Sequence, residues 1–172
     1  MRLSLLCLAG ALAAGAAAAH VVADPNEGPA GGYLRTALRI GHGCGSSPTV
    51  AVRVKIPDGV LAARPRAKPG WEITVTKKKL ATPIDNGHGG LITERVDEIA
   101  WRGGPLPDGF FDEFGLSLRL PARRPGEIIY LPTVQECADG VHRWIEIPAV
   151  GQRWGDMKEP APFIRLVAPP AR

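Results

Sequence analysis

The sequence predicts an all-β protein, an antiparallel β-sandwich, on three observations. Short segments rich in Val, Ile, Leu, Thr and aromatic residues alternate between apolar and polar positions with a period of two. Proline and glycine, 17 and 21 residues, separate these segments along the whole chain. No window offers a long amphipathic helix that is free of Pro and Gly. Together these features are typical of two packed antiparallel sheets.

The predicted strands are eight segments bounded by turn-forming residues. In TVAVRVKIP every second residue is apolar, from Val50 to Ile56, whereas Arg53 and Lys55 point to the other face. Leucines repeat in the same way in GLSLRLP. The predicted strands are residues 32–40, 49–57, 71–81, 91–103, 111–121, 127–137, 142–148 and 163–169.

The chain begins with MRLSLLCLAGALAAGAAAA, in which one positive charge precedes an apolar stretch and small residues. This order is typical of a secretory signal peptide, and Ala17-x-Ala19 fits the cleavage rule. We therefore expect a signal peptide over residues 1–19, one β-sandwich domain over 20–150, and a partly loose C-terminal extension over 151–172. The apolar stretch is too short and alanine-rich for a lasting membrane anchor. The expected location is outside the cytoplasm, in the periplasm.

Cleavage at this point makes His20 the first residue of the mature chain. A free amino group and an imidazole both lose protons near neutral pH when a metal ion competes for them. The amino nitrogen and Nδ1 of one histidine can close a six-membered chelate ring, and two nitrogen donors favour Cu(II). The alternative is that histidine follows the signal peptide by chance.

The charge distribution argues against one class of partner, and the cysteine content predicts a disulfide. The chain has 21 Lys and Arg against 17 Asp and Glu, and these charges are scattered without a basic stripe. No nucleic-acid partner is therefore expected. The run 77–79 of three lysines lies in a predicted strand and is typical of a solvated face or a protected edge. In an exported chain without Cys7, Cys44 and Cys137 most simply form one disulfide. A thiolate metal pair or a redox pair is the alternative.

Most of the mature chain, roughly residues 20 to 148, resembles the YcnI-like copper-associated exported proteins of bacteria. The resemblance is carried by HVVADPNEGPAGGYLRTALRIGHGCGSS, KPGWEI, ERVDEIAWRGGPLPDGFFDEFGLSLRLP and PTVQECADGVHRWIEIP, in that order. It implies an immunoglobulin- or cupredoxin-like β-sandwich. It also implies Cu(II) held by the mature N-terminal histidine, a carboxylate and a nearby tryptophan.

These ligands are assigned to this chain residue by residue. The histidine is His20 and the tryptophan is Trp144, whose indole can lie over an open position of the ion. Trp144 can equally be a core aromatic of the sandwich. The carboxylate is Glu27, since Pro25 and Gly28 can turn the chain back towards its start; an exposed loop carboxylate is the alternative. Asp24 and Asp58 are reserves.

The three remaining histidines lie elsewhere in the sequence. His42, beside Cys44, and His88 are in glycine-rich loops, where structural roles are expected. His142 precedes Trp144 by two residues and so shares its face of the strand, which makes it a candidate fourth ligand.

The resemblance favours a copper chaperone or sequestering factor, with copper transport or delivery proteins as partners, and not an enzyme. The sequence contains no GxSxG, HExxH or P-loop motif. A metal-free scaffold sandwich and, less favoured, a copper-dependent oxidase with a second histidine are the alternatives.

Overall fold

The computed structural model describes residues 20–86 and 89–171, and these residues form β-structure throughout. The predicted signal peptide and His88 lie outside the described residues. The strands are β1 (Val22–Asp24), β2 (Glu27–Pro29), β3 (Tyr33–Ile40), β4 (Thr49–Lys55), β5 (Ala62–Pro65), β6 (Trp71–Asp85), β7 (Leu91–Leu106), β8 (Asp112–Arg119), β9 (Ile128–Tyr130), β10 (Thr133–Cys137), β11 (Val141–Trp144) and β12 (Phe163–Val167).

Two antiparallel sheets form the body of the protein, as the sequence predicts. The order of strands is β1-β3-β8-β5 in one sheet and β11-β10-β4-β7-β6 in the other. Their inner faces meet in one core, where Trp101 of β7 contacts Phe114 of β8 at 5.5 Å between ring centroids. Val52 and Val54 are fully buried on the predicted inner face of β4. The all-β prediction is therefore confirmed.

A third, smaller sheet of order β2-β12-β9 contributes to the same core. In it β2 and β12 run parallel, and Glu27 lies opposite Arg165. The C-terminal segment 151–172, which we expected to be a partly loose extension, contains β12, whose Ile164 and Leu166 are fully buried. The ladder with β2 places residues 27–29 beside this last strand.

The eight predicted segments all contain strand, but three short strands are missing from the prediction. These are β1, β2 and β5, which have three or four residues each and include proline or glycine in two cases. Segment 127–137 divides into β9 and β10 around Pro132, which has no N–H to donate to a ladder. Local pattern is weak in such short elements, and two of them pair with distant segments, β2 with β12 and β5 with β8.

The predicted disulfide joins Cys44 to Cys137 and is present in the structure. The Cα atoms are 6.0 Å apart, within the usual range for a bridge. The bridge ties the loop after β3 to the end of β10. Within the described residues no helix is long and apolar enough to cross a membrane.

Candidate metal centre

His20 lies directly before β1 and is half-buried between two tryptophans. Its ring centroid is 5.9 Å from that of Trp144 and 5.2 Å from that of Trp154, with edge-to-face geometry in both contacts. Val21 and Ala23 follow in the chain and are almost fully buried, which fixes the backbone next to the imidazole. The first residue of the expected mature chain is thus held against the fold.

Trp144 ends β11 and is 3% exposed, so it belongs to the core and also faces the site. Its indole Nε1 donates a hydrogen bond of 3.0 Å to Oε1 of Gln135. The sequence allowed two interpretations of Trp144, a core aromatic and a neighbour of His20, and in the structure Trp144 is both.

Gln135 on β10 is fully buried and forms hydrogen bonds to three residues near Trp144 or including it. Its Nε2 donates to the backbone carbonyl of His42 at 2.6 Å and to Oγ1 of Thr49 at 2.8 Å. Sequence reasoning did not identify Gln135 as part of the site. The available signal was a polar residue on the inward face of a strand, two positions before Cys137, because a buried amide needs partners for all its polar atoms.

Trp154 is the second tryptophan that packs beside His20, and the sequence did not identify it. It begins a short 3₁₀ turn, Trp154–Asp156, and its Nε1 donates to the carbonyl of Ala161 at 2.7 Å. Its ring packs on Phe163 of β12 at 5.7 Å between centroids. With Val22, Ala23, Asn26 and Phe163 it lines a small cavity beside β1. Trp154 and Phe163 both belong to segment 151–172, which the sequence predicts to be an extension of the domain.

Glu27 projects from β2, and its side chain is 57% exposed. Its Oε1 lies 3.8 Å from Nε of Arg165, a spacing that makes a weak exposed ion pair. Arg165 and Phe163 are two residues apart on β12 and so share its outer face. Glu27 therefore lies on the same outer face of this sheet as Phe163, which contacts Trp154, the neighbour of His20.

The two reserve carboxylates have other partners. Asp24 lies 3.9 Å from Arg39, which is diagonally opposite it in the β1–β3 pair. Asp58 pairs with Arg95 and, at 3.2 Å, with Lys78. Hydrogen bonds from Lys78 and the charge of Arg95 hold the pKa of Asp58 below its usual value. The Asp24 pair is as long and as exposed as the Glu27 pair, whereas Asp58 is held by two cations.

His42 and His142 also lie beside Trp144. Their ring centroids are 5.6 Å apart, and they lie 6.2 Å and 5.0 Å from the Trp144 ring, respectively. The shared strand face predicted for His142 and Trp144 is confirmed, because they are opposite Gln135 and Thr133 of β10 in register.

Glu159 holds His142 in place and is a further residue that the sequence reasoning missed. Its Oε1 lies 2.8 Å from Nδ1 of His142, and its Oε2 accepts the backbone N–H of Arg143 at 3.0 Å. Burial raises the pKa of Glu159, but the hydrogen bonds from His142 and Arg143 and the charges of His142 and Lys158 together lower it below its usual value. Glu159 is therefore an ionised acceptor at neutral pH.

Side chains alone do not assemble a complete metal cage in this region. Over residues 20–86 and 89–171, no three His, Cys, Asp or Glu side chains converge closely enough to hold an ion. A site centred on His20 needs the amino nitrogen that cleavage would release as one of its donors. With an imidazole and a carboxylate, that donor set of nitrogen and oxygen suits Cu(II).

Comparison with known proteins agrees with the fold. One solved structure with a TM-score of 0.64 is 27% identical in sequence and corresponds to 87% of this chain and 99% of its own. It is described as an uncharacterized protein from Nocardia farcinica with an immunoglobulin-like fold. No curated protein matches the chain.

The family described as "Domain of unknown function (DUF1775)" matches residues 20–166, which begin at His20 and end within β12. DUF1775 is the domain of YcnI-like proteins, so the resemblance seen in the sequence is confirmed at the level of the family. The match covers most of the chain, and the chain therefore belongs to the DUF1775 family of immunoglobulin-like β-sandwich domains.

Proposed function

We propose that this protein is exported, is cleaved before His20, and binds one Cu(II) ion through the amino nitrogen and Nδ1 of that residue. The observation that carries the proposal is the position of His20, which is packed between Trp144 and Trp154 at the start of β1. A chelating residue held in this way loses little conformational entropy when it binds an ion. The indole faces exclude water and offer cation–π contact.

Glu27 is the proposed carboxylate ligand. Its ion pair with Arg165 is exposed and long, so little free energy opposes its turning towards an ion. Its location on the face that leads through Phe163 and Trp154 to His20 supports this assignment. The role we propose is that of a periplasmic chaperone or sequestering factor that exchanges copper with transport or delivery proteins.

Cu(II) titration of the chain that starts at His20, followed by electron paramagnetic resonance, tests the proposal. We expect one equivalent bound with nitrogen and oxygen donors. The matched control starts at Ala19, which keeps every side chain but converts the His20 nitrogen to an amide. If both chains give the same spectrum and affinity, the amino chelate is refuted and a metal-free scaffold becomes the better interpretation.

Replacing the carboxylate tests the third ligand. Glu27→Gln should weaken Cu(II) binding by at least about tenfold, since loss of even an outer partner of a metal site costs about 10–100-fold in affinity. Arg165→Gln is the control, because it removes the same ion pair and leaves the carboxylate in place. Equal effects of the two substitutions would exclude Glu27 as a ligand.

A further inference from the structure

A groove of about 810 Å³ lies on the outer face of the sheet β1-β3-β8-β5. In these strands residues such as Leu38 and Leu118 point into the core, so the residues between them face outwards. Three arginines, Arg35, Arg64 and Arg66, line the groove, and all three are exposed. The groove therefore presents guanidinium groups to the solvent.

The strand order brings together arginines that are far apart in the sequence. Arg35 of β3 and Arg64 of β5 both lie opposite Ser117 of β8, the strand between them. Neighbouring strands are about 4.8 Å apart, so the two arginine backbones are about 10 Å apart. Arg66 follows β5, and its backbone N–H donates to the carbonyl of Gly115 at 2.8 Å. Pairing of β3, β8 and β5 thus forms a basic surface that no run in the sequence reveals.

Gly115 allows the stem of Arg66 to lie against the sheet. A Cβ atom at position 115 would be 2.9 Å from Cβ of Arg66 and 3.1 Å from its Cδ, so a larger residue would displace this side chain. The position of Arg66 in the groove is therefore set by packing as well as by its backbone hydrogen bond.

The three arginines of the groove have no carboxylate partners among residues 20–86 and 89–171. Another cation in the same groove, Lys68, does have one, because its Nζ lies 2.6 Å from Asp112. Positive charges that line one groove and are not neutralised by neighbours attract anionic ligands. The charge of the groove therefore favours an anion.

A carboxylate further along the groove indicates which kind of anion fits. Glu113 is exposed and lines the groove four residues before Ser117 on β8, which is about 13 Å along the strand. A continuous polyanion, such as a nucleic acid, would meet this like charge. A peptide can place its carboxylates at the arginines and neutral residues beside Glu113.

We propose that this groove binds an acidic peptide segment of a partner protein, whose carboxylates pair with Arg35, Arg64 and Arg66. A guanidinium group offers a planar fork of N–H donors that matches the two oxygens of a carboxylate. The hydroxyl of Ser117, between Arg35 and Arg64, is a further donor. The groove uses neither His20 nor a metal ion, so this proposal stands or falls separately from the proposed function.

Fluorescence anisotropy of a labelled peptide of three glutamates tests the proposal on the chain that starts at His20, without added metal. We expect saturable binding that weakens as the salt concentration rises, because salt screens exposed charges. A peptide of three glutamines should not bind. Arg35→Gln, Arg64→Gln and Arg66→Gln together should weaken binding by at least about tenfold, since each exposed charge pair contributes modestly. The proposal is overturned if the wild type does not bind the glutamate peptide.

The matched control combines Lys77→Gln, Lys79→Gln and Arg124→Gln, which remove three exposed charges outside the groove. This variant should stay within about twofold of the wild-type affinity, because distant exposed charges are screened. Equal losses in the two triple variants would mean that net charge alone is responsible, and would refute the groove. If circular dichroism shows that the first triple variant is unfolded, Arg64→Gln alone decides, and an unchanged affinity would contradict the proposal.

A thymidine tetranucleotide, which carries three phosphate charges, tests the other class of partner. It should bind more weakly than the glutamate peptide, since Glu113 repels a continuous polyanion. Tighter binding of the tetranucleotide would assign the groove to nucleic acid and exclude the acidic peptide.

Discussion

Gln135 is a single buried side chain that connects three parts of the candidate site. It accepts from the indole of Trp144 and donates to the carbonyl of His42 and the hydroxyl of Thr49. Because the amide is fully buried, each of these groups would lose one hydrogen bond if Gln135 became apolar. A buried polar group left without a partner costs about 1–3 kcal/mol.

Gln135→Met should lower the free energy of unfolding by about 2–4 kcal/mol, because it removes three hydrogen bonds of a buried side chain at nearly constant volume. Urea denaturation measures this change. Gln152→Met is the control, since Gln152 is exposed and its Oε1 accepts one hydrogen bond, from the backbone N–H of Ala149 at 2.9 Å, so its effect should stay below about 1 kcal/mol. Equal losses in the two variants would show that the buried network adds no stability.

Individual residues of the site were predictable only in part. The position of His20 follows from the signal-peptide pattern, and its pairing with Trp144 follows from the resemblance to YcnI-like proteins; the structure does bring the two rings together. Whether Glu27 is a ligand stays a prediction. Trp154 and Glu159 had no usable signal, because they lie in a Pro-rich segment whose return to the start of the chain depends on long-range packing.

Three strands of the larger sheet are linked by one carboxylate. Asp97 of β7 accepts from Nζ of Lys55 on β4 at 2.5 Å and lies 3.5 Å from Nζ of Lys78 on β6. The hydrogen bond from Lys55 lowers the pKa of Asp97 most, burial opposes it, and the charges of Lys55 and Lys78 lower it further. The folded protein therefore keeps Asp97 ionised below its ordinary pKa of 3.8.

A pKa that is lower in the folded state gives stability that is fully present above 3.8 and is lost as the pH falls through the folded-state value. We expect Asp97→Asn to be less stable than wild type at neutral pH and to lose less stability between about pH 5 and pH 2. Thermal unfolding midpoints at stepped pH measure this. Asp139→Asn, an exposed aspartate, should follow the wild-type curve; parallel curves for all three proteins would refute the prediction.

Strands differ in how well the sequence predicts them. In β4 the apolar alternation predicts the inner face, and Val52 and Val54 are fully buried in the core as expected, whereas Val50 near the strand's start is only partly buried. The three residues of β2, EGP, show no strand pattern, because their conformation is imposed by the parallel ladder with β12. Tertiary pairing outweighs local propensity in such short elements.

The disulfide joins positions 93 residues apart and closes most of the sandwich into one loop. A bridge across a long loop reduces the conformational entropy of the unfolded chain, with a typical effect of 2–4 kcal/mol. The sequence was enough to predict this bridge, since an exported chain leaves these two cysteines as partners. It was not enough to predict which strands they connect.

Cys44→Ala with Cys137→Ala should lower the free energy of unfolding by about 2–4 kcal/mol without changing the fold. Guanidinium denaturation with a check of the circular dichroism spectrum measures both. Wild type unfolded in the presence of a reductant serves as the comparison and should lose a similar amount. A double variant as stable as the oxidised wild type would show that the bridge contributes nothing.

The molecule as a whole was predictable as an antiparallel sandwich because period-two patterns report which face of each strand is buried. The third sheet was not predictable, since it joins segments from opposite ends of the chain. That sheet brings Phe163 under Trp154 and so completes the aromatic surroundings of His20. The candidate site is therefore a product of overall topology more than of local motifs.

The parallel ladder between β2 and β12 has a consequence for the order of events in biosynthesis. Residues near His20 leave the ribosome first, whereas Trp154 and β12 leave it last. An unfinished or proteolytically shortened polypeptide therefore lacks one wall around the imidazole and the ladder partner of Glu27. Only a polypeptide that includes its last strand can therefore complete the aromatic surroundings of His20 and the strand pairing of β2.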